Sequence, residues 1–397
     1  MDARGGPAHG GPNKPEPHRA EGELSMAETA AITARDCYAT CRTWIETLFP
    51  GYFALVMATG IIANAMWFEG HRGISNVLLV VNVVAFVVLL AMTLLRGLVF
   101  FRALWRDLTD PKLVFAFFTL VAATDVLGVG LGLRGYGSVA LVMWFAALGL
   151  WLALTYLGFT VLILGNGTER TDIIFGGWLI AIVATEAVAL HGVFVAPYFG
   201  ASAAQLVLFS HMLWGVGVVL YAIFIVLFAH RVFFAPVKPE HLTPILWVVM
   251  GAAAISTNAG AVLIVTDVAQ PFLTAMRPFV EGATLVMWAW ATWWIPLLVA
   301  FGIWTHIVHR QPLTYTPLFW SLVFPLGMYA LASLRLAQAA DIGALAALSR
   351  VMVWIALAAW SLTAVGLVVT LWRHWQRGEG GASGCVPRRA TGVVKLP

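Results

Sequence analysis

The chain has 397 residues, of which 61% are apolar and only 11% charged, and its formal net charge is +4. Ordinary soluble domains carry about 25% charged residues, so a soluble globule of this length could not clothe its surface. The small positive excess is dispersed along the chain and does not point to nucleic acid.

Residues 1–25 are rich in Gly, Pro and charge and cannot bury a core, and Met26 is an alternative start. From Ala27 to Leu48, Ile32, Tyr38, Trp44, Ile45 and Leu48 recur among polar residues, which suits a short helix lying on a membrane surface. Cys37 and Cys41 fall in this stretch, and Cys385 lies near the other end. A Cys-x3-Cys pair without further ligands is a poor metal site, and no disulfide framework is readable. Residues 1–43 hold no apolar run of signal-peptide length, so targeting is expected to rest on the first membrane helix.

Ten apolar segments follow, each near the ~20 residues that span a ~30 Å hydrocarbon core. They are expected at Pro50–Phe68, Ser75–Leu98, Lys112–Leu133, Ser138–Leu164, Ile173–Phe194, Ala204–His230, Thr243–Thr266, Ala275–His309, Thr316–Ala337 and Leu345–Trp372. The eighth is long enough to tilt strongly or to extend past the bilayer. The expected organisation is a disordered or amphipathic cytoplasmic N-terminus (1–43), a membrane domain (44–375) and a disordered cytoplasmic C-terminus (376–397). The 18 Trp and 24 Phe fit this, because aromatic rings gather at membrane interfaces.

Lys and Arg set the orientation. With a cytoplasmic N-terminus, the inner flanks hold Arg35, Arg42, Arg96, Arg102, Arg106, Lys112, Arg170, Arg231, Lys238, Arg310, Arg373 and Arg377. The outer flanks hold Arg72, Arg134, Arg277, Arg335 and Arg350. Both termini are therefore expected in the cytoplasm, as an even number of spans requires, in a plasma or inner membrane. Short outer connections group the spans into five helical hairpins. Odd-numbered spans begin beside helix breakers, as at Pro50-Gly51, Thr243-Pro244 and Thr316-Pro317.

Two segments carry a resemblance. Phe49-Pro50-Gly51-Tyr52-Phe53-Ala54-Leu55-Val56-Met57-Ala58-Thr59-Gly60-Ile61 is similar to the opening helix of the tellurite-resistance/C4-dicarboxylate transporter family. Trp320-Ser321-Leu322-Val323-Phe324-Pro325-Leu326-Gly327-Met328-Tyr329 resembles that family's ninth helix, and the Trp288 to Pro296 stretch fits as well. The family belongs with plant slow-type anion channels and fungal malate and sulfite carriers, in the voltage-dependent anion channel and malic acid transport superfamily. The resemblance covers roughly residues 45–375. It implies five hairpins around a pseudo-fivefold axis, odd helices lining a pore, and homotrimers. It also implies a pore-plugging phenylalanine, which by motif is Phe324.

The residues themselves allow more than one reading. Pro325 removes a backbone hydrogen bond and bends its helix, and Trp320, Phe324 and Gly327 share one face. A bulky ring thus sits beside a small-residue gap, although an ordinary core Phe would look the same. Thr59, Gly60 and Asn64 in the first span, Gly128, Gly130 and Gly132 in the third, and Ser256, Thr257, Asn258 and Gly260 in the seventh replace the expected leucines. They fit pore lining, with Gly327, or tight helix packing.

Intramembrane ionisable groups are costly and are functional candidates by default. Asp125, Glu186 and Glu281, with His191 and His211, all fall in the outer halves of their spans. A hydrated vestibule explains them together, and local hydrogen bonding explains them one by one. Burial disfavours the charged form of a carboxyl, so a protonated Asp125 or Glu186 can donate a hydrogen bond to a passing oxyanion. Arg335, near Asp341, reads as an interface anchor or local ion pair.

Transport of small anions (a C4-dicarboxylate such as malate, or oxyanions such as tellurite or sulfite), with or without a proton, is therefore the expected function. No cofactor is implied, and no Gly-x4-Gly-Lys-Ser/Thr signature supports ATP-driven pumping. The alternative is a membrane redox protein with haem held between His191 and His211.

Overall fold

The computed structural model describes residues 42–164, 176–234, 241–267 and 270–379, and the chain divides into units 1–45 and 46–397. The membrane helices all lie in the second unit. Most of the expected surface helix, Arg35, Cys37, Cys41, Arg170, Lys238, Cys385 and nearly all of both tails lie outside the described residues.

Among the described residues the protein is all-α, with ten long apolar helices: α1 (Ala54–Phe68), α2 (Arg72–Val99), α3 (Phe118–Gly132), α4 (Gly137–Leu164), α5 (Leu179–Val195), α6 (Ala203–Phe234), α7 (Val248–Val265), α8 (Pro271–Ile303), α9 (Trp320–Ala340) and α10 (Gly343–Glu379). By length and composition alone the described residues form nine membrane-crossing stretches. The longest of these, Leu179–Phe234, is α5 and α6 run together through a 3-10 segment, Ala196–Ser202. That segment turns at Gly200, whose φ of 53° and ψ of −119° suit only a residue without a Cβ.

Most of the expected span boundaries agree to within a few residues, although α10 runs on to Glu379 and the expected start of the fifth span, Ile173, lies outside the described residues; one element was not foreseen. A short helix, Phe101–Leu108, follows α2. Its Phe101 and Trp105 stack on one exposed side, while its buried Asp107 pairs with buried Arg96 of α2. The Arg96 Nε also donates to the Glu46 carbonyl. A charge taken out of water at a helix end is thus neutralised on the spot.

Consecutive helices pack in pairs: α1 with α2, α3 with α4, α5 with α6, α7 with α8, and α9 with α10. The odd helices also touch in a closed cycle, α1 to α3, α5, α7, α9 and back to α1. In α1, α3, α7 and α9, 78–94% of the apolar window is buried; in α2, α4, α8 and α10 the figure is 17–22%. The even helices therefore form an outer layer. Their exposed residues include many apolar ones, such as Val77, Val80, Val84, Val87 and Val88 of α2, which suit lipid rather than water.

Each odd helix is entered through a 3-10 turn: Pro50–Phe53, Val114–Phe117, Gly176–Trp178, Pro244–Trp247 and Pro317–Phe319. Proline in the first positions fits, since a first-turn N–H has no helical acceptor and φ is preset. These five turns also touch in a cycle, so the ring of odd helices continues into its entry turns.

Lipid gives helices no hydrophobic reason to associate, so packing and hydrogen bonds must hold the ring. Aromatic donors from the outer layer supply the bonds, each reaching the odd helix of the next pair. Trp144 of α4 donates to the Val188 carbonyl and Trp151 to Thr185 Oγ1 on α5, at 3.1 and 2.8 Å. Trp214 and Tyr221 of α6 donate to the Ser256 and Val249 carbonyls of α7, Trp288 of α8 to Ser333 of α9, and Trp360 of α10 to Thr59 of α1. Five tryptophans, two buried and three half-buried, are thus fasteners between pairs, where composition had suggested interface anchors. Trp105, Trp293 and Trp372 remain exposed.

Candidate functional site

Along one face of each odd helix the side chains converge on a cavity at the centre of the ring. Its walls come from all five: Ile61, Asn64 and Phe68 of α1; Asp125, Val126 and Val129 of α3; Ala187, Leu190 and Phe194 of α5; Ile255, Asn258 and Val262 of α7; and Leu331 and Arg335 of α9. Measured to water centres it holds about 20 Å³, room for one or two waters. An oxyanion with its hydration shell does not fit, so the axis is narrow in this conformation.

Four polar side chains enter this apolar chamber. Asn64 donates from Nδ2 to the Val126 carbonyl at 3.1 Å, and its Oδ1 has no partner. Asn258 reaches only the Met328 sulfur, at 3.7 Å, and its Oδ1 is likewise unpartnered. Asp125 is bound through Oδ1 to His191 Nδ1 at 2.8 Å, leaving Oδ2 without a partner. Buried polar atoms normally find partners, and these three side-chain oxygens have none among the described residues.

The fourth is Arg335. Its guanidinium carbon lies 3.8 Å from the centre of the Phe68 ring and 5.9 Å from that of Phe194. Among the described residues it forms no ion pair. Aromatic faces stabilise a cation by about 0.5–2 kcal/mol without neutralising it, so its charge stays available to the chamber. The expectation of an interface anchor or a pair with Asp341 does not describe this placement. The spacing held the signal: Arg335 stands eleven residues after Phe324, three helical turns, and therefore on the same face.

Phe324, Leu331 and Arg335 are spaced seven and four apart, so the face of α9 that lines the chamber continues down to Phe324, about 10 Å below Leu331. Phe324 is 2% exposed. The next residue, Pro325, packs its ring on Gly251 of α7, where any Cβ would overlap it. A glycine opposite a proline lets the bent helix approach its neighbour. Gly327 instead packs against Ile61 and Ile62 of α1 and has no place in the chamber.

The other sequence candidates scatter. Thr59 accepts from Trp360, and Gly60 packs on Asn82 and Val126, so both serve packing. Glu186 is fully buried but turned toward the neighbouring pair, with Ser256 Oγ at 2.8 Å and Gly217 of α6 against its carboxyl. His211 turns back on the Val207 carbonyl of its own helix. Glu281 is half exposed on α8, in an ion pair with Arg277 one turn away. The five ionisable residues therefore share no common vestibule. His191 and His211, the pair considered for haem, meet in no cavity among those described.

His191 belongs to a second, lateral cavity with Gly128, Val129, Gly132, Leu133, Gly137, Ala140, Phe194, Val195 and Tyr198. Its imidazole lies across the α3 backbone at Gly128, where a Cβ would overlap the ring.

Comparison with known proteins covers this same ring. The family model described as voltage-dependent anion channel matches residues 47–368. An uncharacterized membrane protein of Mycobacterium tuberculosis is 44% identical over 138 residues, which is 35% of this chain and 70% of that protein. Two uncharacterized transporters of Methanocaldococcus jannaschii are each 26% identical. One aligns over 72% of this chain and 84% of its own length, the other over 73% and 83%.

Proposed function

The chain belongs to the voltage-dependent anion channel family, and from that premise we propose that its five odd helices enclose a path for small anions that Phe324 shuts. Family and relatives make it a membrane protein of anion transport in general. The finer reading rests on Arg335. A cation inside a membrane domain is expensive and marks an ion or substrate path by default. Here it is sheltered by two rings, has no carboxylate partner among the described residues, and faces a chamber built by the whole ring.

An anion entering from the C-terminal ends of the odd helices meets this charge first. The Lys and Arg distribution assigns that face to the outside and both termini to the cytoplasm. Beyond Arg335, the second N–H of each of the Asn64 and Asn258 amides, whose first is given to the Val126 carbonyl and the Met328 sulfur, and a protonated Asp125 can replace waters of hydration by donating to the anion. An ionised Asp125 would repel it, which ties passage to a proton. Farther along the same face of α9, Phe324 blocks the axis. The chemistry suits compact oxyanions and short dicarboxylates such as malate or sulfite. The exposed apolar faces of the even helices leave room for assembly, and a homotrimer in the membrane belongs to the same reading.

The decisive measurement is anion flux, electrical and radiotracer, through liposomes holding Phe324→Ala. Removing the ring is expected to raise conductance at least about tenfold, as loss of a closed gate lowers the barrier by about 1.4 kcal/mol or more. Conductance that stays at background would remove the gate assignment and leave a tightly coupled carrier.

A further inference from the structure

The axial chamber and the lateral cavity are neighbours. Val129 and Phe194 line both and form their common wall. One polar contact crosses it: Asp125, which lines the chamber, meets His191, which lines the lateral cavity, with Oδ1 and Nδ1 2.8 Å apart. Each partner also keeps one polar atom without a hydrogen-bond partner. Asp125 Oδ2 and His191 Nε2 are both buried and without partners among the described residues. A structural pair would satisfy its remaining atoms in the protein, because orphaned polar groups in such a medium are costly. An open atom at each end is what a relay requires.

The lateral cavity suits the other end of such a relay. It holds about 80 Å³ measured to water centres, enough for several waters. It reaches the surface at the C-terminal face of the ring, where exposed Tyr198 lies over Gly137 at its rim. Glycines at 128, 132 and 137 keep α3 and the start of α4 from filling it.

We propose that Asp125 and His191 form a proton pathway, separate from the anion path, that joins the lateral cavity to the axial chamber. The inference rests on the transport reading above. A proton from lateral-cavity water bonds to His191 Nε2 while the Nδ1–H bond breaks and its proton joins Asp125. The carboxylic acid so formed carries its proton on Oδ1, and a turn about the Cβ–Cγ bond exchanges the two oxygens, so that the O–H faces the chamber and the passing anion takes the proton and leaves the carboxylate. The imidazole stays neutral and changes tautomer, and a turn of the ring resets it.

The surrounding charges leave this exchange to the pair. α1 and α4 bring no charged side chain. Of α2, Arg72 lies over Trp67, and Arg96 is at the far end with Asp107. Glu186 of α5 faces Ser256, and His211 of α6 bonds its own helix. Arg134, beyond α3, is held by Asn76, Ser75 and the Gly130 carbonyl. Arg335 shares the chamber with Asp125, and Tyr198 shares the lateral cavity with His191.

The test uses full-length protein in liposomes containing pyranine, with radiolabelled malate, sulfite and chloride as probe anions and the membrane potential clamped by potassium and valinomycin. His191→Gln breaks the relay, and Ala140→Leu fills the lateral cavity while leaving the pair intact. Both are expected to lower proton uptake at least about tenfold and to slow anion flux with it, because an Asp125 left ionised repels the anion, while the unaltered protein moves proton and anion together. Pumping of protons undiminished in Ala140→Leu, or anion flux without protons in the unaltered protein, overturns the relay and leaves the anion path standing. Absence of flux for all three anions overturns the transport reading itself, and the relay with it. Should His191→Gln fail to give a monodisperse protein, Ala140→Leu and the milder Ala140→Val decide the matter.

Discussion

The odd and even helices pass the same test of apolar length, yet they live in different solvents. Odd helices are wrapped by protein on every side, and their sequences run to Ala, Gly, Ser and Thr, as in Val248–Val265. Even helices give most of their surface to lipid and carry Val, Leu and aromatics, as in Arg72–Val99. Hydropathy cannot separate them, since lipid tails and a packed helix bundle are both apolar. Side-chain volume can, because only small residues let five backbones converge on one axis.

The contrast breaks most visibly at glycine. Gly251→Leu drives a side chain into Pro325 and is expected to cost about 3 kcal/mol or more, seen as loss of the cooperative thermal transition in detergent. Gly149 on α4 has open space beside it, and Gly149→Leu is expected to leave that transition in place. A second comparison sets two arginines near the same face against each other. Arg335→Gln is expected to reduce anion uptake at low concentration about tenfold, the effect of removing about 1.4 kcal/mol of attraction. Arg350 is exposed on α10 and bonds only its own helix, so Arg350→Gln should leave uptake unaltered, and equal losses in both would show a general surface-charge effect. The smallest difference is between tryptophans. Trp151→Phe deletes a bond between pairs and is expected to cost about 0.6–1.7 kcal/mol, whereas Trp293→Phe, at an exposed site, should not shift the melting temperature.

Much of this architecture was legible. Apolar length located every membrane helix, and the breakers at Pro50, Pro244 and Pro317 marked three of the five entry turns. The short helix Phe101–Leu108 escaped because it is amphipathic and carries two arginines, so a rule built on apolar length passes over it. Asn64, Asn258 and Asp125, singled out because a polar residue inside a membrane helix is conspicuous, line the axial chamber. Sequence does not say which way such a residue turns, and Thr59, Gly60, Glu186, His211 and Glu281 all point elsewhere. Arg335 was assigned to the interface by its nearness to a helix end. Its phase relative to Phe324, rather than its depth, held the information.

The contact between α9 and α1 closes the ring without a connecting loop, and this has a consequence for how the protein is made. Four of the five seams can form as the chain emerges, each pair settling against its predecessor. The last seam joins the first pair to the fifth, so until the fifth pair has emerged the ring is an open arc with one odd helix uncovered at each end. The cycle itself has no preferred beginning. A permuted gene that starts at the second pair and appends the first after the fifth should give the same ring, with the late seam moved to the contact between α1 and α3.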